Sequence, residues 1–220
     1  VNKFLTYKDE INPDIAALLP VEWWSRPYEY TFAIKHATKS GVVVDAGCGI
    51  EHPFKWLLSD KCKKVYAIDS DARILEMGET IEGVPISKEV YQKAKPYRGK
   101  DNIEYLNMDI KDAKLSNIDT VFCISVLEHL PAADIKATLT AFMEWLKPGG
   151  KVILTVDYPT IKPEILLDMV LELGFLVGTT QYDPDDKLNI VTQEYQTIKV
   201  YTLVATKPKP KPEPKKDDVK

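Results

Sequence analysis

The stretch Val42-Val43-Val44-Asp45-Ala46-Gly47-Cys48-Gly49-Ile50 constrains this chain more than any other. Consecutive apolar and β-branched positions read as a strand buried on both faces, and Gly47 and Gly49 let the backbone turn sharply and approach a ligand closely. A strand that empties into such a turn predicts an open α/β sheet with its ligand beyond the carboxyl ends of the strands. The loop is not a dinucleotide fingerprint. In G-x-G-x-x-G the backbone wraps a pyrophosphate, whereas here the sixth position is His52 and an acid, Asp45, stands two residues before the first glycine. A carboxylate there suits a cationic ligand end better than a phosphate, which disfavours a nicotinamide-dependent oxidoreductase.

Further strand-like runs follow in order. Lys64-Val65-Tyr66-Ala67-Ile68-Asp69 ends in an acid 20 residues after Gly49, and a carboxylate so placed accepts two hydroxyl hydrogen bonds. Ile103-Glu104-Tyr105-Leu106-Asn107-Met108-Asp109 ends in another acid, Asp119 to Leu130 carries the run Ser125-Val126-Leu127-Glu128-His129-Leu130, and Leu146-Lys147-Pro148-Gly149-Gly150 turns into Lys151 to Leu154. Over roughly residues 40–157 the set resembles the class I methyltransferases dependent on S-adenosylmethionine, in their small-molecule, type 11-like group. The resemblance implies a Rossmann-like three-layer α/β sandwich with a seven-stranded, mostly parallel sheet and an antiparallel final strand. It also implies S-adenosylmethionine as cofactor, held by Asp45, Ala46, Gly47, Cys48 and Gly49 of the loop, by Asp69 and Ser70 around the ribose, by Asp109 and Ile110 around the adenine, and by Ser125 and Val126 after the fourth strand.

Taken singly, Asp69 and Asp109 fit a helix cap or a solvated strand end equally well. Their placement at successive strand ends makes them converge on one crevice. Glu51 departs from the family's loop, where a third small residue is usual. It either crowds the cofactor's carboxylate or faces outward while His52 and Pro53 begin the next helix, and the outward reading is preferred. A helix over Pro53 to Ser59 then aims its amide end at that carboxylate. Glu51 also keeps open a non-catalytic, methyltransferase-like scaffold.

At 220 residues with 45% hydrophobic content, the chain is long enough for one domain with a sizeable core, and no run approaches membrane-spanning length. Val1 to Glu10 is mixed and charged, without the apolar core of a signal peptide, so a cytoplasmic setting is expected. Cys48, Cys62 and Cys123 are scattered and lack metal-ligand spacing, which predicts reduced thiols and no metal site. The end, KPKPKPEPKKDDVK, alternates proline with charge and reads as a disordered, extended tail. Its six lysines and three acids give +3, and removing that from the chain's −4 leaves −7 on the rest. Nucleic acid is therefore not an expected partner. Ile124-Ser125-Val126-Leu127 also lacks the Asn/Asp-Pro-Pro-aromatic motif of methyltransferases that act on base amino groups. A small-molecule acceptor is the expected substrate.

The implied organisation is a helical cover at 1–40, the methyltransferase domain at 41–206 and the tail at 207–220. In the cover, a helix opens near Ser25 to Pro27 and runs to about Thr38. Arg26, Tyr28 and Tyr30 are candidate lid or substrate residues, although aromatics at helical spacing are usually core. Helices are predicted over Asp71 to Thr80, Ser87 to Lys95 and Lys162 to Leu173, the last stopped by Gly174, with final strands at Phe175 to Tyr182 and Lys199 to Thr206. Methyl transfer from a sulfonium is an in-line displacement that mainly demands alignment and exclusion of water. His129, after the fourth strand, is the candidate base, with a structural, cofactor-side role as the alternative. Asp157 and Tyr158, closing the fifth strand, are substrate-side candidates, and Asp157 equally suits a cap.

Overall fold

The computed structural model describes residues 1–75, 80–81, 84–85, 100–192 and 197–210, with 80–81 and 84–85 as backbone only. The chain opens with β1 (Lys3–Phe4), α1 (Pro13–Ala16) and α2 (Arg26–Ile34), then enters the predicted strand β2 (Val42–Ala46). There follow α3 (Phe54–Lys61), β3 (Lys64–Asp69), the pair β4 (Thr80–Ile81) and β5 (Val84–Pro85), then β6 (Ile103–Asn107) and β7 (Ile118–Ile124). After these come α4 (Ala132–Trp145), β8 (Leu146–Tyr158), α5 (Pro163–Glu172), β9 (Leu176–Val177) and β10 (Lys199–Thr206). One sheet runs β1-β10-β8-β7-β2-β3-β6, with β9 also on β10. The pairs from β8 to β6 are parallel and those of β10 antiparallel. From β2 the chain winds outward to β3 and β6, then returns to β7 and β8 on the other side. That reversal between β2 and β7 is where an open α/β sheet forms a crevice.

Period-two alternation sorts the central side chains between two cores. Val44, Val121 and Cys123 face Leu139, Phe142 and Trp145 of α4 and Leu166 and Val170 of α5. Val43, Phe122 and Ile153 face Tyr30 and Ala33 of α2 and Phe54 and Leu58 of α3. The buried positions Ile135, Leu139, Phe142 and Trp145 recur at helical spacing on α4. Each such side chain contributes about 1.5–3 kcal/mol by leaving water. All three cysteines are free and buried. No helix among the described residues is long and apolar enough to cross a membrane.

Several predicted elements differ in form. The cover is not wholly helical, because β1 joins the sheet edge, pairing Lys3 with Thr202 and Phe4 with Tyr201. Only Leu176 and Val177 of the predicted strand Phe175 to Tyr182 pair with β10, so β9 and β1 divide that edge. Asn2 enforces the division: its side-chain oxygen accepts from the Val204 amide, its own amide donates to Thr179, and its carbonyl accepts from Gln181. The predicted helix Asp71 to Thr80 is a 3-10 turn over Ala72–Leu75, and Thr80 and Ile81 instead pair with Pro85 and Val84. Three of those four are β-branched, a composition that favours a pleated strand. α2 stops at Ile34 rather than Thr38, giving way to turns closed by the His36 and Ala37 amides. The predicted helix Ser87 to Lys95 and residues 211–220 of the tail lie outside the described residues.

Candidate functional site

Alternation along β2 places Asp45 on the face of Val43, beneath α2 and α3, where its carboxylate is 3% exposed and Oδ2 has no hydrogen-bond partner among the described residues. Burial, reinforced by Asp69 and opposed by Lys55, pushes its pKa up to about 7. The chain then turns through Gly47 and Gly49 with φ of +74° and +58°, values that side-chain-bearing residues rarely adopt. A Cβ on Gly47 would stand 2.5 Å from Cγ2 of Val126, so the loop needs that glycine for space as well as conformation. The Gly47 and Cys48 amides both donate to the Ile68 carbonyl, and the Gly49 amide donates to Asp69 Oδ2 at 2.8 Å. Asp69 thus closes the loop onto β3, while each carboxylate oxygen keeps a lone pair for a ligand hydroxyl.

Lys55 holds the loop from behind. It is 2% exposed, and Nζ donates to the carbonyls of Cys48, Gly49, Ile50 and His52 at 2.6–3.2 Å. An ammonium has three N–H groups, so four carbonyls share them. Those converging dipoles replace the water a buried charge would otherwise need.

α2 supplies the opposite wall. Arg26 Nη1 donates to Glu29 Oε1 at 2.5 Å and to Ser125 Oγ at 2.9 Å, and Glu29 Oε2 accepts from Ser125 Oγ and Thr155 Oγ1. Glu29 is completely buried. Burial alone would raise its pKa, but the Arg26 charge and the hydroxyl donors outweigh it and hold the carboxyl below its ordinary value. Ser125 sits at φ +50°, its amide donating to both the carbonyl and the hydroxyl oxygen of Thr155. One helix turn of the cover is thereby bonded to the ends of β7 and β8.

Between these walls lies a cavity of about 270 Å³ at the β2/β7 switch point. The loop contributes Asp45, Gly47, Cys48 and Gly49, and β3 contributes Asp69. Ile124, Ser125, Val126 and His129 line it after β7, with Arg26 and Tyr30 from α2 and His52 and Phe54 at the start of α3. All the predicted loop residues except Ala46, with Asp69, Ser125, Val126, His129, Arg26 and Tyr30, are therefore brought together. Glu51 is not among the lining residues, as the outward reading expects.

Other predicted site residues lie elsewhere. Ala46 and Ile110 are buried in the core, Ser70 is exposed beside the cavity's β3 edge, and Tyr28 packs on Leu5, Ile190 and Val200. Asp109 is exposed, caps the turn Ile110–Asp112 by accepting from the Lys111 amide, and pairs with Lys111; its carboxylate does not line the cavity. Tyr158 packs edge-on against Phe4 and Tyr182. Asp157 stands outside the lining, within electrostatic reach of Arg26 and His129, its pKa raised to about 6 by burial and Glu29. Its amide donates to Glu128 Oε1. Glu128 Oε2 is buried without a partner among the described residues, and burial followed by the Asp157 and Glu29 charges raises Glu128 to about 8. Glu29, Lys55 and Glu128 escaped the sequence reading; only the i, i+3 spacing of Arg26 and Glu29 signalled a pair.

A family model described as a methyltransferase domain matches residues 44–154. No curated protein matches the chain by sequence. Among solved structures, the fold is similar to the 1,6-didemethyltoxoflavin-N1-methyltransferase of Burkholderia thailandensis, solved with its substrate and S-adenosylhomocysteine. That match has 14% identity and a TM-score of 0.61, and covers 86% of this chain and 80% of that one. The N-methyltransferase NodS of Bradyrhizobium japonicum, solved with S-adenosylhomocysteine, is similar at 14% identity and TM-score 0.61, over 88% of this chain and 96% of that one. The [4+2]-cyclase SpnF is similar at 13% identity and TM-score 0.63, over 94% and 87%. At these identities the likeness is one of fold.

Proposed function

The chain belongs to the methyltransferase domain family, with S-adenosylmethionine as cofactor, and from that premise we propose that it transfers a methyl group from this cofactor to a small-molecule acceptor in the cavity between the Gly47–Gly49 loop and Ser125. The observation that carries this reading is Asp45, a buried carboxylate with an unpartnered oxygen beside a glycine cradle. Leaving such a group unmet costs roughly 1–3 kcal/mol, and an ammonium of the ligand relieves that cost. Asp69, already fixed by the Gly49 amide, has the acceptor capacity for ribose hydroxyls.

Bound there, the cofactor supplies an electrophilic methyl on a sulfonium. The protein's task is to align the acceptor and exclude water. His129, exposed at the cavity mouth, is the group able to take a proton from an acceptor. Residues 41–206 form the methyltransferase domain and 1–40 its cover. The acidic balance and the named substrate of the Burkholderia neighbour support a small acceptor, and the three free thiols fit a cytoplasmic setting.

The likeness to a cyclase favours a second reading, because the fold by itself does not decide the reaction. Calorimetric titration with S-adenosylmethionine, S-adenosylhomocysteine and NAD, followed by turnover assays on a panel of small nucleophiles, separates the possibilities. Binding of both adenosyl ligands with methyl transfer to a panel member supports the proposal. Absence of adenosyl binding refutes it, and tight binding without transfer points to a non-methylating role.

A further inference from the structure

We propose that the Tyr30–His52 pair, braced by Trp23, is a carboxylate anchor in which the imidazole Nε2–H and the open edge of Arg26 together hold the amino-acid end of the cofactor. The inference rests on the cofactor reading above and assigns a function to the residue standing where a dinucleotide fingerprint has its last glycine.

The His52 ring lies across the glycine loop: a Cβ on Gly49 would meet its Cδ2 at 2.5 Å and its Nε2 at 3.5 Å. One face stacks on Trp23 with centroids 4.3 Å apart. Nδ1 lies 2.8 Å from the Tyr30 hydroxyl. Ring plane and rotation are both fixed by these contacts.

Proton accounting then sets the tautomer. Tyr30 is 2% exposed, and His52 Nδ1 is the partner of its hydroxyl among the described residues. A buried phenol O–H needs an acceptor, so Tyr30 donates and Nδ1 accepts. Burial, with the charges of Arg26 and Lys55, pushes the imidazole down to about 3 and keeps it neutral. A neutral ring that accepts at Nδ1 carries its hydrogen on Nε2. That N–H has no partner among the described residues, although His52 lines the cavity.

Arg26 adds to the same donor field. Nη1 is engaged by Glu29 and Ser125, while Nη2 and Nε have no partner among the described residues and the side chain lines the cavity. The Arg26 charge depresses the His52 pKa, which places the two donors within electrostatic reach. Two donors without partners lining one cavity favour an anion there. The unpartnered Asp45 oxygen in the same cavity selects a cation. The combination matches an α-amino acid zwitterion. Asp69, tied to the Gly49 amide, remains for the ribose.

The test compares S-adenosylhomocysteine with 5′-methylthioadenosine, which lacks the amino-acid end, by calorimetry on the full chain and on H52A, H52Q and Y30F, each first shown by its melting curve to be folded. Long-range ¹H–¹⁵N correlation of labelled protein reads the His52 tautomer with no ligand present. Expected are an Nε2–H tautomer in the parent chain and a shift away from it in Y30F. H52A should lose about ten-fold or more in affinity for S-adenosylhomocysteine with little change for methylthioadenosine, and H52Q should lose less than H52A. An Nδ1–H tautomer in the parent chain overturns the anchor. So does an unchanged homocysteine affinity in H52A, which would leave the donors to an acceptor's carboxylate, or an equal loss for both ligands, the signature of a merely structural residue. Failure of the parent chain to bind either ligand overturns the cofactor reading, and the anchor with it.

Discussion

Replacing Glu29 by Gln preserves volume and removes one negative charge from the join between cover and sheet. In the folded protein that carboxylate has no exposure, and it accepts from Arg26 at 2.5 Å, Ser125 at 2.7 Å and Thr155 at 2.5 Å. The Arg26 side chain is 19% exposed, so the substitution strands a largely buried guanidinium. Breaking a buried pair from one side costs about 3–5 kcal/mol, and downgrading two hydroxyl bonds from charged to neutral acceptors accounts for about 1 kcal/mol each of such a loss. For a chain of this length, about 3–5 kcal/mol corresponds to a melting temperature lower by roughly 6–20 °C. Urea unfolding at pH 7, with an unchanged m-value, measures it. Because the Glu29 carboxyl is held below its ordinary 4.5, its contribution is fully present above that value and is lost as pH falls through the folded-state pKa. The gap between wild type and E29Q therefore narrows on acidification. R26M/E29Q, with neither charge, should recover part of the loss. A loss under about 1 kcal/mol at pH 7, or a gap indifferent to acid, would refute this account.

Four further outcomes are expected. Asp157, Asp45 and Glu128 have folded-state values raised to about 6, 7 and 8, so the stability they confer is complete below their unfolded values and is lost as pH rises through 6 to 8; melting curves should fall between pH 5.5 and 8.5. Cofactor affinity should do the opposite, rising by up to about ten-fold per unit until Asp45 is ionised near 7, and titration in buffers of different ionisation heat should detect proton release. K55M leaves four loop carbonyls without their buried donor and should cost about 3–5 kcal/mol in urea unfolding, while moving the pH dependence of cofactor binding upward because Lys55 lowers the Asp45 pKa. G47A places a methyl 2.5 and 2.7 Å from the Val126 methyls at φ +74°; about 1–3 kcal/mol of strain and a marked loss of adenosyl binding follow. Adding V126A should relieve the clash and leave the backbone strain.

Much of this was legible because its signals are local. Val42 to Gly49 carries strand, acid and turn within eight residues, and each predicted strand from β2 to β8 is present. Asp69 was legible for the same reason, closing an alternating run at the place where a parallel strand ends. Asp109 shows the limit of that rule. It stands two residues past the end of β6, where a carboxylate meets the Lys111 amide two residues on before it meets any ligand, and such capping leaves the same residue pattern. Tyr28 and Tyr30 share a helix two positions apart and so point to different sides, one packing on Leu5 and the other lining the cavity.

By itself the sequence determined the sheet, the crevice at its switch point and the acid-glycine loop, because strand period, turn chemistry and strand-end acids are written in neighbouring residues. Only the tertiary structure decided what surrounds that loop. Lys55 looks like any helix lysine until its ammonium is seen among four carbonyls, and Glu29 like a surface acid until Ser125 and Thr155, 96 and 126 residues away, close on it. His52, in the sequence only a departure from a fingerprint, becomes a fixed donor through Tyr30 and Trp23, 22 and 29 positions earlier. The physical reason is common to all three: the environment of a buried polar group is set by partners that folding brings together, and no local pattern encodes their distance.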